Sequence, residues 1–314
     1  MRKLQNRQTV VTVGNFDGVH VGHQRLWDKV TRLAEAEKLR GVVLTFDPHP
    51  AAFFGGDADM PLLTTAAEKR ALVEAQGLEY EVVPFTAAFA ALSPAAFFAE
   101  VLRPLGCRHL VIGEDFRFGQ KGMGDAAAAV QIGAACGVAV HVMPDFLVDG
   151  ERISSSRIRG MVSACRLSEA EALLGRPYHI TGTVVRGEQR GRLMGYPTLN
   201  LAPPVQKLLP PDGVYITQTT WANGAQMGFG LTNIGTNPTF GAQARVVETH
   251  LLDVDLGHTK EMYGEEATVS FLKFRRGEKT FASMEELQAA IDADAVAAQS
   301  FIAVPHVLDA GESM

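Results

Sequence analysis

Two histidines three residues apart, His20 and His23, follow the segment Gly14-Asn15-Phe16-Asp17-Gly18-Val19, which leaves the apolar run Val10-Val11-Thr12-Val13. At that spacing both imidazoles reach the same side of a first helical turn. Glycines admit a ligand close to the backbone, and a helix N-terminus offers free N–H groups and the positive end of its dipole, so the segment suits a phosphate. Two imidazole donors beside a triphosphate can stabilise charge that develops at the α-phosphate and on departing pyrophosphate. The same pair could ligate a metal together with Asp17, or the three could merely cap and pack. A strand before the segment and a helix after it favour the phosphate.

Three further segments carry polar groups at the ends of strand-like runs. Phe46-Asp47-Pro48-His49-Pro50 places His49 after the second, and Gly113 to Gly119 places Asp115 after the fourth. Ser154, Ser155 and Ser156, then Arg157 and Arg159, follow the fifth and open a helix. Serine hydroxyls at a helix start bond phosphate oxygens, and an arginine binds them through a fork. Three serines before a helix usually only cap it. Four such segments at one edge of one sheet read as a nucleotide site.

The second half carries a different set. The glycine-rich stretch from Gly187 through Gly191 and Gly195 to Asn200 lacks the GxxxxGK[ST] pattern of a Walker loop. Thr198 and Asn200 point the same way in an extended run and offer neutral oxygens to a hard cation such as Mg²⁺. Glu248 and His250 share one face of a strand. Phosphoryl transfer to an alcohol needs a base or a positioning carboxylate, and Glu248 is the candidate.

The elements that must position these groups fall into two patterns. Up to residue 176, short apolar runs alternate with helical stretches: strands at 10–13, 42–46, 81–85, 109–112 and 138–142, and helices from about 23, near 66–76, from Ser93-Pro94 and near 125–136. Leu26, Val30 and Leu33 form the expected buried stripe of the first helix. Five strands separated by four helices predict a parallel, doubly wound sheet, whose ligands bind beyond the carboxyl ends of the strands. Ser168 to Glu171 reads as a capping box, and Gly175 with Pro177 as a stop, so the domains divide as 1–176 and 177–314. Beyond it, strand-like runs at 178–185, 214–220, 227–231, 245–252 and 267–272 predict an antiparallel β-barrel. A final helix capped at Ser283, with Leu287, Ala290, Ile291 and Ala298 inward, closes it. The residues from about His306 read as frayed.

With 314 residues, 46% hydrophobic and 20% charged, the chain has a globular composition and room for about two domains. Its net charge of −6 argues against a nucleic-acid partner. The first part carries 19 basic and 20 acidic residues, the second 10 and 15. No apolar run reaches the ~18 residues of a membrane span, and the N-terminus lacks the pattern of a signal peptide. Cys107, Cys136 and Cys165 are far apart, with no CxxC, which suggests a reducing, cytoplasmic compartment.

Taken together, the motifs of residues 9–165 resemble the adenylyltransferase module of bacterial bifunctional riboflavin kinase/FAD synthetases, of the HxGH nucleotidyltransferase superfamily. Leu63-Thr64-Thr65 with Glu68-Lys69, and Phe85 with Leu92-Ser93-Pro94, extend the match. The resemblance implies nucleotide contacts at Gly14, Asn15, Phe16, His20 and His23, phosphate contacts at Ser154, Ser155, Ser156 and Arg159, and adenosine or ribose contact at Asp115. Ser156 stands where threonine is commoner, and Glu79-Tyr80 departs from a usual aspartate. Residues 176–302 resemble riboflavin kinase through Gly191, Arg192, Gly195, Pro197, Thr198, Asn200 and Leu201, then Asn233-Ile234-Gly235, Pro238-Thr239-Phe240 and Val247-Glu248-Thr249-His250. This implies Mg²⁺–ATP at Thr198 and Asn200, nucleotide contact along Gly187 and Gly191, Glu248 as base towards the ribityl 5′-hydroxyl, and Arg276 near the flavin. The implied substrates are riboflavin, FMN and ATP, with FAD as product. Two rival classes are a different nucleotidyltransferase fused to a regulatory barrel and a redox flavoprotein; a passive flavin site needs neither a metal pair nor a base.

Overall fold

The computed structural model describes residues 8–55, 60–186, 198–222, 224–236, 245–252 and 262–303. Two compact units form: Met1–Ile158 with Leu173–Gly175, and Arg159–Ala172 with Arg176–Met314.

The first unit follows the order β1 (Thr9–Val13), α1 (Val21–Glu37), β2 (Arg40–Asp47), α2 (Pro50–Gly55), α3 (Ala66–Ala75), β3 (Glu79–Pro84), α4 (Ala87–Ala90), α5 (Pro94–Phe97), β4 (Cys107–Gly113), α6 (Ala126–Cys136), β5 (Ala139–Met143) and a hairpin of β6 (Leu147–Val148) and β7 (Glu151–Arg152). The five longer strands form one parallel sheet in the order β3-β2-β1-β4-β5. Helices cover both faces, so alternate residues of the central strands enter two cores. Val11, Val13, Leu110 and Ile112 pack with Phe97, Phe98 and Ala129, whereas Val10, Val43 and Val111 pack with Trp27, Val30, Ala34 and Val73. This explains why these strands read as continuous apolar runs. The chain order reverses at β1, flanked by β2 and β4, and that switch point is where a doubly wound sheet opens a crevice.

Two local expectations need correction. The fully buried side of α1 is Trp27, Val30 and Ala34, with Leu26 and Leu33 only partly covered. Both sets satisfy helical spacing, and the bulk of Trp27 decides between them. The helix after the serines, α7, spans Ser155–Ser163, and α8 spans Leu167–Leu174. Ser168 therefore lies inside the first turn of α8 rather than capping it; Gly175, at φ +70°, ends it.

The second unit adds β8 (Tyr178–Val185), β9 (Thr198–Ala202), β10 (Gly213–Trp221), β11 (Gln226–Thr236), β12 (Arg245–Leu251), β13 (Glu266–Arg276) and α9 (Met284–Ile302). The six strands close into a barrel in the order β10-β11-β12-β9-β8-β13. Every pairing is antiparallel. The hydroxyls of Thr217, Thr232 and Thr249 run through it as a buried chain, 2.7 Å and 2.8 Å apart. Ser283 caps α9, whose Ala295 and Ala298 pack on Val214, Ile216 and Leu231 of β10 and β11. Ile291 and Ala298 are buried as expected, while Leu287 and Ala290 are half-buried.

Candidate active sites

The loop between β1 and α1 is held from beneath. Gly18, at φ +82°, approaches Leu63 so closely that an added Cβ would stand 2.8 Å from Leu63 Cδ1. Phe16 and Val19 also take positive φ, 49° and 44°, a conformation that bulky residues adopt only where their surroundings enforce it. The Phe16 ring folds over Gly14 and meets both His23 and Trp27 edge-on. His20 is the N-cap of α1: its Nδ1 accepts the His23 N–H at 3.3 Å. An accepting ring nitrogen carries no proton, which leaves Nε2 as the donor. The rings of His20 and His23 stack, with centroids 3.5 Å apart and planes 16° apart.

Both histidines line a cavity of about 300 Å³ at the carboxyl end of the sheet. Asp115, Ser154 and Ser155 line it too, so three of the four sequence segments meet there. Ser154 accepts the Arg157 N–H at 3.2 Å, capping α7, and Ser155 Oγ donates to the Asp17 carbonyl at 2.9 Å. Asp17 is not among the residues lining the cavity. Its buried carboxylate accepts the Thr64 N–H at 3.0 Å, and the Thr64 hydroxyl in turn accepts the Gly18 N–H at 3.0 Å. A carboxylate aimed at a triphosphate would repel it, and this one fixes the loop instead. Gly14, Asn15 and Phe16 form the loop behind the histidines, and His49 Nδ1 accepts the Ala51 N–H. None of these four lines the cavity, and neither does Ser156. Arg159 stands on α7 within the second unit.

Sequence reasoning missed two cations at this mouth. Arg25 lies over the Phe146 ring, 3.8 Å from its centroid. Arg152, on β7, is ion-paired with Asp115 and, through Nε at 3.2 Å, with Asp145. The only available signal was its place two residues before Ser154. Among the described residues, no group of three His, Cys, Asp or Glu side chains could hold a metal.

In the second unit, register brings the expected residues together. Asn200 stands opposite Glu248, and Thr198 opposite His250, across β9 and β12; Asn233 of β11 flanks Glu248 on the other side. Partners in register share a face, and Val247, Thr249 and Leu251 between them are buried. Glu248, His250 and Asn233 line a cavity of about 430 Å³ with Val214, Leu231, Arg276, the 278–281 segment and α9. Thr198 and Asn200 adjoin Glu248 and His250 without being part of that lining. Burial pushes the His250 imidazole down to about 4, so it is neutral near pH 7. Arg276 is steered by Asp294 of α9, which accepts its Nε at 2.8 Å and that of Arg275 at 3.1 Å. Asp294 had no signal in the sequence beyond an acidic residue on the buried side of a helix. Gly187 and Gly191, with Arg192, Gly195, Pro197, the segment from Pro238 to Phe240 and the C-terminal residues read as frayed, lie outside the described residues.

Two family models match separate parts of the chain, and whole-length relatives span both. Residues 2–157 match the FAD synthetase family model, and residues 174–302 match that of riboflavin kinase. The bifunctional riboflavin kinase/FMN adenylyltransferase of Escherichia coli strain K12 is 35% identical over 93% of this chain and 92% of its own length. That of Bacillus subtilis strain 168 is 34% identical, with the same coverage of both chains. The solved structure of a Streptococcus pneumoniae protein described as a macrolide-efflux protein aligns with a TM-score of 0.80 and 27% identity, covering 95% of this chain and 96% of that one. Among the described residues, no helix is long and apolar enough to cross a membrane.

Proposed function

Because this chain belongs to the bifunctional riboflavin kinase/FMN adenylyltransferase family, we propose that its barrel unit phosphorylates riboflavin with ATP and its sheet unit then adenylylates the FMN, giving FAD and pyrophosphate. The observation that carries this reading is a pair of cavities with different chemistry. One gathers the donors His20, His23, Ser154 and Ser155, and its two carboxylates, Asp115 and Asp145, are both ion-paired with Arg152; the other is lined by the carboxylate of Glu248 beside Asn233 and His250.

That difference matches the nucleophiles. The phosphate of FMN is already an anion, so its attack on the α-phosphate of ATP needs positioning and charge neutralisation rather than a base. His20 and His23 are assigned to the charge that develops there and on pyrophosphate. Ser154, Ser155, Ser156 and Arg159 are assigned to the phosphates, and Asp115 to the ribose side. The riboflavin 5′-hydroxyl must lose a proton as it attacks, and Glu248 is assigned to accept it. Arg276, held by Asp294, is assigned more weakly to the flavin.

Thr198 and Asn200 put two neutral oxygens on one face of β9, with Glu248 of β12 opposite Asn200. This pair of hard oxygen donors fits Mg²⁺, whose shell phosphate oxygens and water would complete. A Mg²⁺ ion held by Thr198 and Asn200 would neutralise ATP phosphate charge, while Glu248 handles the proton. The separate cysteines fit a cytoplasmic enzyme.

The direct test incubates the protein with riboflavin, ATP and Mg²⁺ and follows FMN and FAD by chromatography. FMN should rise first and FAD after it; absence of both products from folded protein overturns the reading. The activities should also separate at the proposed boundary between 176 and 177. Fragment 1–176, which retains Leu173–Gly175 of the first unit, should make FAD only from supplied FMN. The barrel fragment, begun at 177 or at 159, should phosphorylate riboflavin and make no FAD. If folded fragments of both kinds are inactive, the two-module assignment fails.

A further inference from the structure

Lys69 is among the most buried cations of the described residues, with 7% of its surface exposed, and the mechanism above does not use it. Burying an ammonium is costly unless it is paired and hydrogen-bonded. Its Nζ donates to the Asn15 carbonyl at 2.5 Å and to the Thr45 hydroxyl at 3.4 Å. Thr45 Oγ1 itself donates to the same Asn15 carbonyl at 3.2 Å. Two donors from different elements thus converge on one carbonyl of the loop that leads to His20 and His23. The start of α3 is rigid as well: Thr65 and Glu68 form a reciprocal capping box, and Thr64, just before it, holds Asp17. The loop is thus held at two points, by Thr64 just before α3 and by Lys69 on it, and Lys69 supplies the positive charge.

Resting on the reading of this unit as an FMN adenylyltransferase, we propose that Lys69 is a positioning residue for adenylyl transfer. Its ammonium fixes the Asn15 carbonyl, and with it the loop carrying the histidines, and it lays positive charge beneath the segment that receives the phosphates.

The charge is titratable within a practical range. Burial pushes Lys69 down to about 8, while the carboxylates of Asp17, in the loop, and Asp47, at the end of β2, pull it upward. Glu68, beside it on α3, is engaged with the Thr65 N–H at 2.8 Å. Loss of the proton removes both the charge and the stronger form of the bond to Asn15. It does not unfold the protein. The unfolded value, 10.5, lies above the folded one, so between about pH 8 and 10.5 the unfolded chain holds the extra proton. The contribution of Lys69 to stability therefore rises with pH across that window. Activity and stability should move in opposite directions.

The test follows adenylyl transfer from ATP to FMN by the full chain from pH 6.5 to 9.5, with circular dichroism as the folding control and riboflavin phosphorylation as the control for general damage. In the unaltered protein kcat/KM for ATP should fall above about pH 8, because that ratio reports the free enzyme. The fall in kcat should come at higher pH, since bound phosphates favour the ammonium. Lys69→Met should lower kcat/KM by roughly 10–100-fold, the scale of a small misplacement of reacting groups, and should abolish the alkaline fall. Thr45→Val keeps shape but removes an acceptor from the ammonium, so it should move the fall to lower pH. A folded Lys69→Met protein with near-normal FAD synthesis and an unchanged alkaline fall overturns the proposal. If Lys69→Met does not fold, an unmoved fall in Thr45→Val overturns it instead. No FAD from the unaltered protein at any pH would refute the assignment of the unit itself, not the role of Lys69.

Discussion

His23→Ala should lower FAD synthesis by about 10²–10³-fold, the usual cost of removing one preorganised donor from developing charge, and leave riboflavin phosphorylation within a few-fold of normal. The geometry makes His23 the cleaner of the two histidines to test. His20 is also the N-cap of α1 through Nδ1, so alanine there removes a cap as well, at about 1 kcal/mol. His20→Asn, which can still cap, separates the two effects. It should fold like the unaltered protein and still lose most FAD synthesis, because Asn cannot place a donor where Nε2 stands. The two rings stack at 3.5 Å, so removing one also frees the other to turn. The double variant should therefore lose less than the product of the two single losses. Rates of both reactions on one preparation decide the matter. Equal losses in the two reactions would mean general damage and would end the assignment of the histidines to the sheet unit.

The parts of the molecule that could be read in advance are those where chemistry is local. β1, β2 and β4 are covered on both faces, and their apolar runs say so directly. Spacing sets the histidine pair on one side of a helical turn and Glu248 and His250 on one face of a strand, while the serine run stands out only beside the other segments at the same sheet edge. β9 was harder: Thr198-Leu199-Asn200 is too polar to read as a barrel strand, and it becomes one only by pairing with β8 and β12. The two-residue strands of the β6–β7 hairpin are too short for any period, and Arg152 was missed with them. The largest omission is the underside of the nucleotide loop. Thr64 meets Asp17 across 47 residues and Lys69 meets Asn15 across 54, separations at which no local pattern survives. In the sequence Asp17 is open to a metal or to capping and packing, and only the fold reveals that its carboxylate is engaged with Thr64.

Glu248→Gln should cost roughly 10²–10⁴-fold in FMN synthesis, the range for general acid–base catalysis, with FAD synthesis from added FMN nearly unchanged. Glutamine keeps the size of glutamate and much of its hydrogen bonding but removes the negative charge and the basicity. The strand pairing that sets Glu248 opposite Asn200 and beside Asn233 is a backbone property, so the substitution should leave it in place. Mg²⁺–ATP should still bind, because Thr198 and Asn200 are untouched. The loss should therefore appear in kcat rather than in the KM for ATP. His250 sharpens the comparison. It lines the same cavity on the same strand face, yet burial holds it neutral down to about pH 4, so it is available as a neutral base in the usual assay range. His250→Gln tests that rival. If Glu248→Gln works near the normal rate and His250→Gln does not, the proton goes to the imidazole. If Glu248→Gln alone fails while circular dichroism and ATP binding are unchanged, the carboxylate is the base, and its loss in one reaction but not the other follows from the nucleophiles: an alcohol must shed a proton, whereas a phosphate attacks as it is.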